Sequence, residues 1–217
     1  MKLRLRYSKT GRAKYISHLD LMATMRRAFL RAGLELKYSE GFNPHPYISV
    51  ALPLPVGCAS VCELMDFELA DARRADDIPA LVSSVLPEGL EVLEAYVPER
   101  KFSGISWAEL CGKLFYDAGT SSCTAKRLKE RFAAESIVVS KKTKSGMADI
   151  DIAPFIRDVD FHSGSVITMK VRISAQNPSI SPSMLISSLD FDGVSIAPDF
   201  AAFTRMEVFD SDMNIFK

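Results

Sequence analysis

The segment that most limits the possible fold covers residues 38–57, which read YSEGFNPHPYISVALPLPVG and hold four of the chain's eleven prolines. Pro44 and Pro46 fix their own φ angles and push the residues before them into extended geometry. Gly41 permits a sharp entry into this stretch. The segment therefore predicts a rigid loop followed by a strand over 47–52. One interpretation is that the loop presents Phe42, Asn43, His45 and Tyr47 to a ligand. The other is that Phe42 and Tyr47 fill the seam between helix and sheet.

Strand and helix patterns follow one another in an order that occurs twice. Leu3, Leu5 and Tyr7 alternate with arginines, which predicts a strand, and apolar residues at helical spacing run from a Ser17 cap to Gly33. The remaining patterns of the first half are strands at 47–52, 62–69 and 90–97 and a helix at 77–85. Those of the second half are strands at 106–117, 136–140, 165–174 and 202–209 and helices at 124–134 and 182–189.

Strand-helix-strand-strand-helix-strand is the order of a split βαβ, or ferredoxin-like, unit. The sequence therefore predicts an α+β protein with two tandem ferredoxin-like (βαββαβ) domains, each with an antiparallel sheet. We expect the domains at 1–100 and 105–217. The connecting stretch PERKFSGIS (98–106) has the proline, charge and glycine of a linker.

Composition and cysteine usage predict a cytoplasmic globular protein. Apolar residues make up 47% and charged residues 25% of the chain, an ordinary globular balance. No apolar run approaches the roughly 20 residues that span a bilayer, and the start MKLRLRYSKTGR lacks the apolar region of a signal peptide. Four cysteines without a secretory signal indicate reduced thiols. We expect no membrane association.

Two of the cysteines raise the question of a metal cluster. Cys58 and Cys62 form C-x3-C, but a radical-SAM cluster motif needs a third cysteine where this chain has Met65. Zinc sites prefer paired cysteines or Cys/His clusters, which the sequence does not offer. The cysteines are read as buried structural thiols, and we expect neither a metal nor a cofactor.

The zero net charge hides an asymmetry along the chain. Residues 1–48 contain ten of the 27 Lys and Arg residues and three of the 27 Asp and Glu residues, giving +7 against −7 for the remainder. A basic end of this size attracts phosphates. The alternative is a solvated helix face and a charged edge strand. The residues predicted to bind RNA or a protein partner are Lys14, Tyr15, His18, Asp20, Arg26, Arg27, Arg31, Phe42, Asn43, His45 and Tyr47.

Two histidines are candidates for catalysis. His18 follows the predicted helix cap, and His45 lies between two prolines on the rigid loop. Either residue beside a basic patch is able to act as general base in a metal-independent RNA cleavage. A histidine at a helix start is more often structural. The sequence contains no P-loop, no GxGxxG and no nucleophile elbow.

The stretch YISHLDLMATMRRAFLRAGLELKYSEGFNPHPYISVALPLPVG, followed by CELMDFEL, resembles an uncharacterised bacterial family known as the radical SAM-linked, or radical SAM-associated, proteins. The motifs are Ser-His-Leu-Asp at 17–20, Gly-Phe-Asn-Pro-His-Pro at 41–46, Pro-Leu-Pro-x-Gly at 53–57 and an acidic strand with Glu63 and Asp66. The resemblance is specific over residues 1–70 and weaker at 141–156. It implies a helper of a radical-SAM enzyme, acting in trans, in RNA or ribosome metabolism.

Three functions remain open from the sequence. The first is an RNA-binding accessory protein that acts with a radical-SAM enzyme. The second is a metal-independent endoribonuclease resembling the CRISPR repeat-processing enzymes, although the glycine-rich loop near the end of those enzymes is absent here. The third is an adaptor that binds the radical-SAM partner without contacting RNA. A non-enzymatic function is favoured over catalysis.

Overall fold

The structure, a computed structural model, describes residues 1–71, 74–119, 122–143 and 146–217. These residues divide into two compact units, one formed by Met1–Gly104 with Lys217 and the other by Ile105–Phe216. Within the described ranges, no helix combines the length and the apolar character that crossing a membrane requires.

The first unit is an antiparallel sheet with two packed helices. Its elements are β1 (Lys2–Lys9), α1 (His18–Arg31), β2 (Ile48–Val50), β3 (Ala59–Glu68), α2 (Ile78–Ser83) and β4 (Leu90–Tyr96). β1 pairs with both β3 and β4, and β2 pairs with the end of β3. A single hydrophobic core joins β1, α1, α2, β3 and β4.

Local sequence signals explain where α1 begins and ends. Leu21, Met25, Ala28 and Phe29 recur at helical spacing and are buried. The Phe29 ring lies 4.8 Å from the Phe67 ring of β3. The Ser17 hydroxyl oxygen accepts the Asp20 N–H at 3.1 Å, so Ser17 caps the helix as predicted. Gly33 follows the helix with a φ of +68°, a conformation that glycine adopts without steric cost.

The second unit combines a four-stranded sheet with two hairpins. Its elements are β5 (Trp107–Phe115), α3 (Ser122–Phe132), β6 (Val138–Thr143), β7 (Gly146–Asp151), β8 (Ile156–His162), β9 (Ile167–Ser174), α4 (Pro182–Ser187), β10 (Asp190–Phe191), β11 (Val194–Ser195) and β12 (Phe200–Phe209). β5 pairs with β12 and β9, and β8 pairs with β9, all antiparallel. The hairpins β6–β7 and β10–β11 each form a separate two-stranded sheet.

The α+β class is confirmed, but the prediction of two tandem ferredoxin-like domains is wrong. In the second unit the described strands do not form one antiparallel sheet: β5, β8, β9 and β12 share a sheet, whereas the hairpins β6–β7 and β10–β11 are two separate sheets. The predicted strand at 136–140 belongs to the β6–β7 hairpin and not to the four-stranded sheet of the second unit. The order of elements along the chain does not fix which strands pair, because alternating patterns record which face is buried and not which neighbour is bonded.

Candidate functional site

The loop after α1 is closed at its base by backbone hydrogen bonds. The Ser39 N–H donates to the His45 carbonyl oxygen at 2.9 Å, and the His45 N–H donates to the Ser39 hydroxyl oxygen at 3.0 Å. Just outside this closure, the Tyr47 N–H donates to the Lys37 carbonyl oxygen at 2.9 Å. The rigid loop predicted from the prolines is therefore present, and we call residues 38–47 the aromatic loop.

The aromatic loop presents its side chains to solvent. The Phe42 side chain is fully exposed, with a relative accessibility of 112%, and Asn43 and His45 are exposed beside it. Tyr38 and Tyr47 are half exposed, and the Lys37 ammonium lies 5.7 Å from the centre of the Tyr47 ring. The sequence left two interpretations open, and the exposure of Phe42 supports the one in which the loop projects outward. Phe42 does not plug a seam between helix and sheet.

The outer face of α1 carries three exposed arginines, Arg26, Arg27 and Arg31. No carboxylate in the described ranges lies within ion-pair distance of them. Leu19 and Leu30 are also exposed on this helix, at 77% and 78%. We call these five residues the arginine face. Guanidinium groups without internal partners are available for phosphates or for carboxylates of another molecule.

The end of α1 and the aromatic loop lie at the same end of β3. After the helix, the Lys37 N–H donates to the Glu68 carbonyl oxygen at 2.8 Å, and the Glu68 N–H donates to the Tyr47 carbonyl oxygen at 3.0 Å. Glu68 is the last residue of β3. These bonds place Arg31, in the last turn of α1, toward the end of β3 that carries the aromatic loop.

The residues around Ser17–Asp20 lie at the opposite end of β3. There the buried Lys9 ammonium donates to the Ile16 carbonyl oxygen at 3.0 Å, and Lys9 is in register with Ser60 at the start of β3. The Gly57 N–H donates to the Lys14 carbonyl oxygen at 2.9 Å. Lys14, Tyr15, His18 and Asp20 surround this corner, with Tyr15 and His18 exposed.

The two candidate histidines are consequently far apart. Two residues before His18, Ile16 is bonded to Lys9, which lies opposite Ser60. Two residues after His45, Tyr47 is bonded to Glu68. The eight residues of strand from Ser60 to Glu68 span about 26 Å. The structure does not bring the two imidazoles into one site. Each would have to act as a base without the other.

Sequence reasoning missed a buried cation beneath the first helix. Lys9 is 1% exposed, and Glu63 on β3 is buried to the same degree. Burial lowers the pKa of the Lys9 ammonium, while the negative charges of Glu63 and Cys58 act in the opposite direction. The acidic strand motif with Glu63 and Asp66 is the sequence signal that indicates a buried cation here, because a buried carboxylate requires a partner.

The predicted absence of a metal is not tested by this structure, but the arrangement of possible ligands is clear. Among the residues that the structure describes, His, Cys, Asp and Glu side chains do not gather in threes or more in a way that would hold an ion. Cys62 is buried, Cys58 and Cys111 are partly buried, and Cys123 is exposed, so the expectation of buried thiols is wrong for Cys123. The Ser60 hydroxyl and the Cys62 sulfur form a contact of 3.7 Å.

Comparison with known proteins assigns a family but not an activity. No curated protein matches the chain. Among solved structures, an unknown protein from Galdieria sulphuraria is 10% identical over 80% of this chain and 81% of its own, with a TM-score of 0.27. The family model described as "Uncharacterized protein conserved in bacteria (DUF2344)" matches residues 2–182. The chain therefore belongs to this bacterial family.

Proposed function

We propose that this protein is an RNA-binding accessory protein that acts in the cytoplasm with a radical-SAM enzyme, in RNA or ribosome metabolism. The observation that carries the proposal is the exposed arginine face with the fully exposed Phe42 toward one end of β3. Arginines neutralise the phosphate backbone, and an exposed aromatic ring stacks on an unpaired base.

The aromatic loop favours single-stranded RNA over a duplex. The aromatic loop offers the exposed rings of Tyr38, Phe42 and Tyr47. Stacking a base on an aromatic side chain contributes about 1–3 kcal/mol and needs an unpaired base. The rigid loop lowers the entropic cost of this contact because its hydrogen bonds already hold the ring-bearing residues in place.

The radical-SAM part of the proposal rests on the resemblance of residues 1–70 to the radical SAM-linked proteins. Members of that group occur as separate chains or as extensions of a radical-SAM protein. In this chain, Met65 stands where the third cysteine of a cluster motif would be. A partner that carries the cluster in a separate chain fits this sequence.

The test is RNA binding measured by fluorescence anisotropy with an unstructured single-stranded RNA oligonucleotide over a range of salt concentrations. The variant is Arg26→Glu/Arg27→Glu/Arg31→Glu. Its matched control is Lys113→Glu/Lys126→Glu/Arg127→Glu, which makes the same charge change at exposed positions of the second unit. We expect the wild-type salt slope to fall by about 2 in the arginine variant, because each lost phosphate contact removes about 0.7.

A Phe42→Ala variant separates stacking from charge. It should weaken binding at every salt concentration without changing the slope. No binding by the wild-type protein at low salt, or equal losses in the arginine variant and its control, would refute RNA binding through this surface.

The second candidate function is an adaptor that binds the radical-SAM protein directly. Leu19 and Leu30 favour it, because exposed leucines on the same helix face as arginines suit an apolar and acidic protein surface more than RNA. The test is co-purification with the radical-SAM protein after nuclease treatment. A Leu19→Gln/Leu30→Gln variant that loses the partner but still binds RNA would assign the leucines to the protein contact. Retention of the partner by this variant would remove the reason for the adaptor.

A further inference from the structure

The outer edge of β4, the edge that does not face β1, borders a groove of the first unit. β4 pairs with β1 on one side, and no described strand pairs with its other side. At Val92 the edge is covered, because the Ser83 hydroxyl oxygen accepts the Val92 N–H at 2.9 Å. Beyond that point, residues 93–97 line a groove of about 650 Å³. The backbone groups of an open strand edge are a template for another extended chain.

The groove combines apolar and acidic side chains. Leu93 and Val97 line it and are 42% and 63% exposed. Three of its four charged side chains are carboxylates, those of Asp76, Glu94 and Glu99. An extended peptide that covered Leu93 and Val97 would therefore lie in a negative field.

The fourth charged residue shows which side chain the groove accepts. The Lys217 ammonium lies 3.4 Å from a carboxylate oxygen of Glu94, and both side chains are about half exposed. An exposed pair of this kind is weak, on the order of 0–1 kcal/mol, so another cation is able to displace it. The charge of the groove and this lysine both indicate a basic ligand.

We propose that the outer edge of β4 is a docking site for an extended, basic segment of another protein. The segment adds a strand to the edge, covers Leu93 and Val97, and places Lys or Arg side chains on Glu94 and Glu99. Main-chain hydrogen bonds give the affinity of such strand addition, and side-chain contacts give its specificity. This site is separate from the arginine face and the aromatic loop, and it does not rest on RNA binding.

The probe is a short labelled peptide with alternating lysine and valine, titrated with the full chain and followed by fluorescence anisotropy. Two matched peptides test its chemistry: one replaces each lysine by glutamate, and one carries a central proline. We expect only the first peptide to bind, because proline lacks the N–H that a strand pairing requires. Equal binding of the proline peptide would overturn strand addition, and equal or tighter binding of the glutamate peptide would overturn the charge preference.

Variants of the chain locate the site. Glu94→Lys/Glu99→Lys reverses the charge of two side chains that line the groove. Glu88→Lys/Glu91→Lys makes the same charge change at exposed positions outside its lining. We expect the first to lower the affinity at least about tenfold and the second to leave it within about twofold. Thermal unfolding verifies that both variants fold. A similar loss in both folded variants, or no loss in the first, would overturn this location.

Discussion

At the scale of single residues, burial and several contacts constrain the Arg4 guanidinium, which is fully buried in β1. Its Nε donates to Asp66 Oδ1 at 2.6 Å and its Nη2 to Asp66 Oδ2 at 3.1 Å. Nη2 also donates to the Arg100 carbonyl oxygen at 2.9 Å, and the Phe102 ring centre lies 4.3 Å from the guanidinium carbon. Arg4 therefore ties β1 to β3 and to the segment after β4.

We expect Asp66→Asn to destabilise the protein by about 3–5 kcal/mol, because it leaves the buried Arg4 charge without its counterion. Urea unfolding of both proteins measures the difference. Lys2→Ala is the control: the Lys2 ammonium also lies 3.5 Å from Asp66 but is half exposed, so its removal should cost at most about 1 kcal/mol. Equal losses of unfolding free energy in Asp66→Asn and Lys2→Ala would contradict the claim that the buried pair stabilises the protein more than the exposed one.

The same residues show what the sequence could not predict. Alternation of Leu3, Leu5 and Tyr7 with arginines correctly predicted a strand, and such a pattern places the arginines on the more polar face. Arg4 is fully buried instead, and Lys9, on the same face as the apolar residues, is also buried. Their carboxylate neighbours, Asp66 and Glu63, lie more than 50 positions further along the chain, and a local pattern carries no information about them. The charge of +7 for residues 1–48 therefore overstates the basic surface.

At the scale of elements, one carboxylate holds the β6–β7 hairpin at its open end. Asp151 Oδ1 accepts the N–H of Ile137 at 2.8 Å and the N–H of Ala153 at 3.0 Å. These two backbone hydrogen bonds favour the ionised form and lower the pKa of Asp151 below its ordinary value of 3.8. Asp151 thus joins the residue before β6 to the residues after β7.

Because the folded-state pKa of Asp151 is depressed, its contribution to stability is complete above its unfolded pKa. It is lost as the pH falls from about 4 through the lower folded value. We expect Asp151→Asn to unfold at a lower temperature than wild type at pH 7, and the difference to shrink below pH 4. Thermal unfolding followed by circular dichroism between pH 7 and pH 2 measures this. A constant difference across the range would show that the ionised form is not preferred.

Element existence was easier to predict than element pairing. Helix α1 was predicted well because its cap at Ser17, its apolar spacing and its Gly33 terminator are all local. The strand predicted at 136–140 was found as β6, but it pairs with β7 and not with a strand of the four-stranded sheet of the second unit. β8 was missed because Arg157, Asp158 and Asp160 interrupt its apolar alternation.

At the scale of the whole molecule, motifs that are close in sequence lie at different places. The Ser17–Asp20 motif and the aromatic loop were predicted as one binding surface. They lie near opposite ends of β3, because α1 carries the chain from one end of the sheet toward the other. The types of residue available for binding could be predicted from the sequence, but their grouping depends on the direction of α1 along the sheet.

The first unit has the properties of an independently folding domain. One hydrophobic core joins residues from Leu3 to Val92, including the fully buried Phe29, and all its members belong to this unit. The unit also includes Lys217, but the Lys217–Glu94 pair is about half exposed and contributes little. A domain is expected to fold alone when it has its own core.

We therefore expect a fragment of residues 1–104 to fold and to unfold cooperatively on heating. Circular dichroism and the dispersion of amide signals in an NMR spectrum measure this. Phe29→Ala in the same fragment is the control: losing a buried phenylalanine costs about 3–5 kcal/mol, a large part of the stability of a domain of this size. The variant should therefore unfold at a much lower temperature or not fold. A wild-type fragment with a disordered spectrum would show that the first unit depends on the rest of the chain.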